Sequence, residues 1–375
     1  MQQKIVPITL LTGYLGAGKT TLLNYVLNNQ KGYHVAVIVN DIGEVNIDAS
    51  LLAAGGVVQE QDSSLVPLQN GCICCTLKED LIKQIGELVL SGKFDYIMIE
   101  ASGICEPVPI VQTIEYIYEN TKTCDMTVKL DNVVSVVDAL RLVEEFSDGK
   151  DLMKKEIEDD DIENLIIQQV EFCTKIIVNK TDLVTPEQLK EVESVIRALQ
   201  PEAEIIEAVK GEVPLDKILG TGCFDFETAS RSAAWIKGLE EIEEEEEPEG
   251  EVLEYNISTF VYKRRARFDT TKFIDWANNR YPKSIIRSKG VVWLSRDGEN
   301  MYMFEQAGSQ KNLANAGPWV ASLSKAEQKE ILLMAPEIAA EWDEKYGDKM
   351  IKLIFIGKDM DRAAIEKELD SILKK

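Results

Sequence analysis

The chain of 375 residues lacks long hydrophobic runs. None reaches the roughly 18 consecutive apolar residues that a membrane-spanning helix needs. The first residues, MQQKIVPITL, also lack the basic, apolar and small-residue order of a secretory signal peptide. We therefore expect a cytoplasmic protein that does not bind membranes. In that compartment the seven cysteines should be reduced, so a cysteine cluster indicates metal binding or reactivity before it indicates a disulfide.

Histidine and basic side chains are scarce as well. The only histidine, His34, begins an apolar run and is expected to be structural. Lys and Arg number 41 against 65 Asp and Glu, which gives a formal net charge of −24. Because nucleic-acid binding requires clustered basic side chains that displace counterions from phosphates, we expect no nucleic-acid partner.

The length favours two domains over one hydrophobic core. Between residues 240 and 251 the sequence EEIEEEEEPEGE contains nine glutamates. Such a stretch repels itself and cannot bury enough apolar surface to fold. We therefore predict a first domain over residues 1–239, an acidic linker over 240–251 and a second domain over 252–375.

Short apolar runs alternate with helical patterns throughout the first domain. Runs at Ile5–Leu11, His34–Val39, Tyr96–Ile99, Asp131–Val137 and Lys175–Val178 read as buried strands. This alternation predicts an α/β domain with a mostly parallel sheet flanked by helices. Beyond the linker, alternating runs around an Asp-Gly turn predict a smaller α+β domain with an antiparallel sheet.

The stretch TLLTGYLGAGKTTLLN contains the phosphate-binding pattern G-x-x-x-x-G-K-[ST], with Gly13, Gly18, Lys19 and Thr20 at its fixed positions. Glycines let successive backbone N–H groups surround an anion, and the following helix adds its positive end. Lys19 can reach the β- and γ-phosphates, and Thr20 can offer a hydroxyl to Mg²⁺. The chain is therefore predicted to bind a nucleoside triphosphate with Mg²⁺.

A second pattern, N-K-x-D at Asn179, Lys180 and Asp182, follows a later strand. An aspartate can accept hydrogen bonds from both N1–H and the 2-amino group of guanine, whereas adenine has no such pair of donors. Asn179 is expected to contact the base edge and brace the phosphate loop, and the stem of Lys180 to cover the ring. The nucleotide is therefore predicted to be GTP.

Carboxylates follow two strands at the same sheet edge. Glu100, with Gly103 three residues later, stands where many P-loop proteins hold the Mg²⁺ water shell and sense the γ-phosphate. Asp41 and Glu44 follow the second strand and are candidates for the other switch. For these acidic residues a helix cap or a loop contact remains the alternative.

Three cysteines, Cys72, Cys74 and Cys75, precede a predicted helix. A helix N-terminus favours thiolates, and soft thiolates suit Zn²⁺, Cu(I) or Co²⁺ better than Mg²⁺. Buried small residues or a redox pair are the alternatives. Cys105 is expected to be a core thiol, although it follows the Glu100 switch. The remaining cysteines are expected to be structural: Cys124, Cys173 and Cys223.

The ordered motifs GYLGAGKTTLLN, NDIGEVNID, GCICC, EASG and NKTD resemble the CobW-type metallochaperone GTPases, relatives of the nickel-inserting GTPases of hydrogenase and urease maturation. The resemblance extends past the linker to YKRRARF and RSKGVVWL and covers nearly the whole chain. It implies slow, metal-responsive hydrolysis of GTP to GDP and phosphate, coupled to delivery of a divalent metal, commonly zinc or cobalt, to a client protein.

The resemblance also implies a set of site residues. Phosphates and guanine are bound by Gly13, Gly16, Ala17, Gly18, Lys19, Thr20, Thr21, Asn179, Lys180 and Asp182. Lys19, Glu100 and Gly103 serve hydrolysis, and Thr20, Asp41 and Glu100 serve Mg²⁺. The transferred metal is held by Cys72, Cys74 and Cys75, with Glu44 as an additional ligand.

The sequence departs from the family pattern in three places. A histidine-rich stretch is replaced by glutamates, Val39 stands where some members have a glutamate, and Arg267-Phe268-Asp269 replaces a Pro-Phe-His sequence. No catalytic base or arginine finger is evident, so hydrolysis is expected to need a partner or a second subunit, and a homodimer is one option. The alternative function is a regulatory GTPase switch with structural or redox cysteines; a small-molecule kinase is disfavoured by NKTD.

Overall fold

The computed structural model describes residues 3–29, 32–39, 65–67, 78–103, 106–146, 160–231, 256–307 and 310–374. The chain divides into two compact units, Met1–Ala233 and Ala234–Lys375. The glutamate-rich stretch 240–251 lies outside the described residues, so the linker and the exact domain limits stay predictions.

The first unit contains a seven-stranded sheet in which every pair of neighbouring strands is parallel. Its strands are β1 (Lys4–Thr12), β2 (Val35–Val39), β3 (Leu65–Pro67), β4 (Tyr96–Glu100), β5 (Met126–Asp138), β6 (Lys175–Asn179) and β7 (Glu204–Glu207). Their order across the sheet is β3-β2-β4-β1-β5-β6-β7.

The described residues of this unit also form seven α-helices. They are α1 (Lys19–Asn28), α2 (Lys78–Ser91), α3 (Pro107–Thr121), α4 (Ala139–Phe146), α5 (Asp160–Glu171), α6 (Pro186–Leu199) and α7 (Phe226–Arg231). Strands β2, β4 and β6 are buried along their whole length, as expected for apolar strands covered by helices on both faces.

The strand that precedes the phosphate loop, β1, lies at the centre of the sheet. In register, Leu11 lies beside Glu100 of β4, and Thr12 lies beside Ser135 of β5. The carboxyl ends of parallel strands meet at one edge, where α/β folds bind ligands. The sheet order therefore brings the segments after β1, β4, β5 and β6 to the same edge.

A buried polar network ties the centre of this sheet together. The Tyr96 hydroxyl lies 2.7 Å from Thr9 Oγ1 and donates to Asp131 Oδ2. Burial and the neighbouring Asp131 carboxylate raise the pKa of Tyr96 far above its ordinary value, so this phenol stays a donor. Asp131 also accepts from the backbone N–H groups of Thr221 and Gly222, which fixes that loop against the strands.

The second unit contains a five-stranded antiparallel sheet of order β11-β10-β9-β12-β8. Its strands are β8 (Ile257–Arg264), β9 (Ile285–Val292), β10 (Asn300–Ala307), β11 (Gln310–Pro318) and β12 (Ile351–Lys358). Its helices are α8 (Thr270–Asp275), α9 (Lys325–Met334), α10 (Pro336–Ala340) and α11 (Arg362–Ser371), and a π-helical turn, Trp276–Arg280, follows α8. Aromatic side chains dominate its core, with Phe268 stacked on Phe273 at 4.8 Å between ring centroids.

These two architectures confirm the predicted fold class, a parallel α/β domain followed by a smaller α+β domain with an antiparallel sheet. No helix in the described parts of the chain is long and apolar enough to span a bilayer.

Candidate functional site

The phosphate loop adopts the backbone conformation that its glycines permit. Gly13, Gly16 and Gly18 all have positive φ angles, of 134°, 81° and 109°. A Cβ on Gly13 would stand 2.2 Å from the carbonyl oxygen of Val136, so the loop passes directly against β5. Only glycine fits this combination of conformation and close approach.

Lys19 opens helix α1 and is 6% exposed. Its ammonium group donates to the carbonyl oxygens of Gly13, at 2.8 Å, and Tyr14, at 3.3 Å. These bonds hold the charged end of Lys19 across the mouth of the loop. A lysine has three N–H donors, so an ammonium group in this position can also bond a phosphate oxygen.

Thr20, in the first turn of helix α1, lies close to Glu100, at the end of strand β4. The Thr20 hydroxyl donates to Glu100 Oε1 at 3.3 Å, and Glu100 is 1% exposed at the end of β4. A buried carboxylate beside a hydroxyl gives the hard oxygen donors that Mg²⁺ prefers. The neighbouring residue Thr21 is exposed on the first turn of α1, and Ala17 is buried.

Gly103 packs on the phosphate loop. A Cβ at this position would lie 2.7 Å from the backbone nitrogen of Leu15 and 3.0 Å from its Cα. From the other side, Gln169 of α5 donates to the Gly103 carbonyl at 3.2 Å. The segment after Glu100 is therefore held between the loop and a helix. Sequence reasoning missed Gln169, since nothing in its local sequence distinguishes it from other helical glutamines.

Asn179 connects three segments. Its side-chain N–H donates to the Ala17 carbonyl at 2.9 Å, and its Oδ1 accepts from the backbone N–H of Gly211 at 3.0 Å. Asn179 therefore holds the phosphate loop through a direct hydrogen bond, as its place in the sequence predicts. Gly211 has a φ of 69°, and a Cβ there would be 2.9 Å from the Leu22 backbone nitrogen. Sequence reasoning also missed this glycine; the only signal was a Lys-Gly pair shortly after β7.

Lys180 and Asp182 follow on a tight turn. Lys180 has a φ of 61°, and its ammonium group lies 2.5 Å from Asp138 Oδ2 at the end of β5. Asp182 is exposed on the 3₁₀ turn Thr181–Leu183. The ion pair joins Lys180 to the end of β5, and Asp182 is accessible to a ligand.

An arginine at this edge was not anticipated either. Arg141, in the first turn of α4, places its guanidinium carbon 4.3 Å from the centroid of the Tyr14 ring in the phosphate loop. Its backbone N–H donates to Asp138 Oδ1 at 3.3 Å. A cation–π contact of this kind holds the Tyr14 ring in one orientation beside the loop.

Several predicted metal ligands lie outside the described residues: Asp41, Glu44, Cys72, Cys74 and Cys75. Cys105 lies outside them too. Among the residues that the structure does describe, no three His, Cys, Asp or Glu side chains are close enough together to hold a metal ion.

The other cysteines have ordinary surroundings. Cys173 is buried, its thiol donates to the Val170 carbonyl at 3.0 Å, and burial raises its pKa well above the ordinary value. Cys124 and Cys223 are exposed thiols on the surface of the first unit. The lone histidine, His34, lies beside Asp95, with its backbone N–H donating to Asp95 Oδ1 at 2.7 Å. Asp269, where the family pattern has a histidine, caps α8 through two 3.1 Å bonds.

A phosphate-binding loop braced by the asparagine of a guanine-recognition sequence, at the carboxyl edge of a parallel sheet, defines a P-loop GTPase. Residues 7–207 match the profile of the CobW/HypB/UreG nucleotide-binding domain, and residues 257–373 match the cobalamin synthesis protein cobW C-terminal domain. The chain belongs to the CobW/HypB/UreG family of GTPases.

Named relatives extend the comparison. The zinc-regulated GTPase metalloprotein activator 1 of Dictyostelium discoideum is 38% identical over 98% of this chain and 80% of its own length. The zinc chaperone CobW of Pseudomonas aeruginosa is 36% identical over 57% of this chain and 60% of its own length. Among solved structures, Zn(II)-bound YjiA GTPase from E. coli aligns with 99% of both chains at 21% identity and a TM-score of 0.43.

Proposed function

We propose that this protein hydrolyses GTP to GDP and phosphate and uses that cycle to deliver a transition metal, zinc or cobalt, to a client protein. The observation that supports it most directly is the packing of Gly103 against the phosphate loop beside Glu100. A nucleotide bound in the loop would touch the segment after β4, so a change at the γ-phosphate would reach that segment without a long relay.

For nucleotide binding we assign each residue the role its position suits. The backbone N–H groups of residues 13–21 and the Lys19 ammonium group would bind the phosphates. Asp182 would accept the guanine donors, and Lys180 would cover the ring. Thr20 and Glu100 fit Mg²⁺, which when bound neutralises charge developing between the β- and γ-phosphates. We assign Asp41 to the same ion.

For hydrolysis we propose that Lys19 and the Gly103 backbone stabilise charge on the γ-phosphoryl group as water attacks and GDP leaves. Preorganised donors aimed at developing charge are the main source of catalysis in phosphoryl transfer. In the described residues neither Glu100 nor Lys19 is suited to be the base, since one serves the ion and the other is cationic. A partner or a second copy of the chain would complete the site. We propose that the protein without such a partner hydrolyses GTP slowly.

For the transferred metal we propose Cys72, Cys74 and Cys75 as thiolate ligands, with Glu44 as a further ligand. Two relatives are named for zinc, and thiolates bind zinc and cobalt far more tightly than Mg²⁺. In the sequence, the cysteines fall between strand β3 and helix α2, and Glu44 follows strand β2. We propose that two or three of the thiols bind the metal directly and that another ligand or water completes the shell, because an open site suits transfer to another protein.

The recipient would be a client metalloprotein in the cytoplasm, where thiols stay reduced. The activator relative is named for a metalloprotein, which supports a protein client rather than a small molecule. A homodimer remains part of the proposal only as the source of the missing catalytic group.

The test is the metal response of GTP hydrolysis in two matched variants. Cys72→Ser/Cys74→Ser/Cys75→Ser removes the proposed ligands, while Cys124→Ser/Cys223→Ser removes two exposed thiols elsewhere in the first unit. We expect zinc to change the rate of phosphate release in the wild type and the control, and to have no effect in the triple variant.

A triple variant that binds GTP and responds to zinc like the wild type would contradict this ligand assignment. If zinc affects none of the three proteins, the metallochaperone proposal fails and the regulatory switch, in which GTP controls a protein contact and the cysteines are structural, becomes the better account.

A further inference from the structure

The charge of the chain is unevenly distributed. Residues 256–375 contain 21 Lys and Arg against 17 Asp and Glu, although the whole chain has 41 against 65. Residues 256–375 are therefore weakly basic, whereas residues 1–255, which include the glutamate-rich stretch, contain 20 Lys and Arg against 48 Asp and Glu. An acidic partner would be repelled by residues 1–255 and attracted to residues 256–375.

An open groove lies within this second unit, outside the nucleotide site. One end is formed by the loop between α10 and β12 and by the start of α9, and is lined by Trp293, Trp342 and Tyr346. The groove continues along α9 past Gln328 to Leu332 and Leu333. Lys325, Gln328 and Trp342 line both parts, so the two form one elongated surface.

The aromatic end is rigidly built. Trp293 and Tyr346 pack edge to face, with ring centroids 5.6 Å apart, and the Trp293 indole N–H donates to the Gly298 carbonyl at 3.1 Å. The loop that supports Tyr346 is closed by two backbone bonds between Asp343 and Gly347, of 3.0 and 2.9 Å. A ligand would therefore meet a preformed wall, which lowers the entropic cost of binding.

Lysines surround this wall. Lys345 lies 4.7 Å from the Tyr346 ring centroid, and Lys349 lies 6.0 Å from that of Trp293. Lys325, at the start of α9, donates to the Gln328 side chain at 3.1 Å. Two acidic residues, Asp343 and Glu344, also line this end, and Glu299 lies 3.5 Å from Lys349. Asp343 accepts from the backbone N–H groups of Lys345 and Tyr346, so its charge is already engaged by the loop.

The far end of the groove is apolar and exposed. Leu333 is 75% exposed and the adjoining Met334 is 80% exposed, at the end of α9. Single exposed apolar residues are ordinary, but these adjoin a groove with aromatic walls and basic edges. The surface thus offers contacts for carboxylates at one end and for aliphatic side chains along its length.

We propose that this groove binds an acidic segment of the client protein in which carboxylates are interspersed with apolar side chains. This inference rests on the proposed function, since it supplies the docking surface that delivery to a client requires. A small free anion would not use the apolar length of the groove, and a basic segment would face the lysines.

The test uses a short fluorescent peptide in which glutamates alternate with leucines around one tryptophan, titrated with the full-length protein and followed by anisotropy. Saturable binding is expected for the wild type. Lys325→Glu/Lys345→Glu should weaken binding about tenfold or more, because two attractive contacts become repulsive. Leu333→Ser, at an exposed position that should not affect folding, should weaken it about threefold.

The matched control is Lys272→Glu/Lys367→Glu, which makes the same change of charge at exposed lysines of the same unit that do not line the groove. It should bind the peptide as the wild type does. An equal loss in the control, equal binding of a peptide with lysines in place of glutamates, or complete displacement of the peptide by inorganic phosphate would each overturn the proposal.

Failure of the groove is distinguishable from failure of the metal proposal. The same preparations are titrated with Co²⁺ and their thiolate absorption is recorded. Absence of peptide binding together with intact cobalt binding would refute only the proposal that the groove binds the client. If the protein binds no cobalt but binds the peptide, and the lysine variant weakens that binding, the groove proposal stands and the metal proposal fails.

Discussion

Asn179 and Asp182 belong to one short sequence but have different surroundings. Asn179 is 2% exposed and holds the phosphate loop and Gly211 in place, whereas Asp182 is exposed on its turn. A buried residue with two fixed partners sets the architecture, and an exposed carboxylate is available for a ligand. Base selectivity should therefore depend on Asp182 and loop stability on Asn179.

Replacing Asp182 with asparagine should change nucleotide preference with little effect on folding. The amide would present an N–H donor to guanine's own donors, so GTP affinity should fall about 100-fold or more. Xanthosine triphosphate, which has a carbonyl at that position, should become the better ligand. Competition with a fluorescent GDP analogue measures both affinities.

The control is Asp216→Asn, an exposed aspartate on the 3₁₀ turn Leu215–Lys217 of the same unit. It should leave both affinities unchanged. Tight GTP binding by the Asp182 variant would contradict guanine recognition at this position.

Gly103→Ala should impair both folding and hydrolysis. The added Cβ would lie 2.7 Å from the Leu15 backbone nitrogen, so the phosphate loop or the segment after β4 must move. We expect a loss of about 1–3 kcal/mol in the free energy of unfolding and at least about a tenfold fall in the GTP hydrolysis rate. Urea denaturation and phosphate release measure the two effects.

Gly86→Ala is the matched control, since Gly86 lies within α2 and a Cβ there meets nothing within 4 Å. It should raise the free energy of unfolding by about 0.5–1 kcal/mol and leave the hydrolysis rate unchanged. A Gly103 variant that hydrolyses GTP at the normal rate would exclude a role for this contact.

The residues of the nucleotide site could largely be predicted because their chemistry requires fixed types at fixed spacing. Lys19, Glu100 and Asn179 fall where the motifs predict, at one sheet edge. Gln169 and Gly211 could not be predicted, since their contacts with Gly103 and Asn179 join residues far apart in sequence. Such contacts can be identified only from the three-dimensional structure.

Among the elements, the buried strands were predicted best. Helix α6, Pro186–Leu199, is preceded by the N-cap Thr185, which forms a full capping box with Gln188. The strand over Asp131–Val137 was found, but β5 begins earlier, at Met126, because its pairing with β1 extends past the apolar run.

Other elements were missed. Strand β11, QKNLANAGP, pairs only with β10 at the sheet edge and has no apolar alternation to reveal it. Helix α3 begins with Pro107-Val108-Pro109, a start that resembles a loop, although proline is well tolerated in a first helical turn. Helix α9 was overlooked despite a capping box at Ser324 and Glu327.

Ion pairs at the edge of the parallel sheet should make the stability of the protein depend on pH. Glu204, at the start of β7, lies 2.5 Å from the Lys175 ammonium group and 2.6 Å from that of Lys217. These hydrogen bonds hold the pKa of Glu204 below its ordinary value. Its contribution to stability is therefore present above the unfolded pKa and lost as the pH falls through the folded pKa.

Glu204→Gln should accordingly lower the free energy of unfolding by about 0.5 kcal/mol near neutral pH, the scale of exposed ion pairs. The difference from wild type should vanish at a pH below the lowered folded-state pKa of Glu204, where its carboxyl is protonated in the folded and the unfolded state alike. Urea denaturation at the two pH values measures it, with Glu212→Gln, an exposed residue on the following loop, as control. A difference that persists in acid would contradict an ionic origin.

At the scale of the whole molecule, nucleotide and metal must influence each other equally. If bound GTP raises or lowers the affinity for a metal by some factor, the metal changes GTP affinity by the same factor. Thiols must lose protons to bind the metal, so metal affinity should rise with pH. These two requirements hold whatever client receives the metal.

Control of a thiolate metal site by GTP is what separates the proposed metallochaperone from a regulatory switch. The measurement that tests it most directly is a titration of the reduced protein with Co²⁺ and Zn²⁺, once with GDP and once with a non-hydrolysable GTP analogue, reading cobalt–thiolate charge-transfer absorption. We predict tight thiolate binding whose affinity differs between the two nucleotides. Binding that is absent, or that is the same with either nucleotide, would contradict the account.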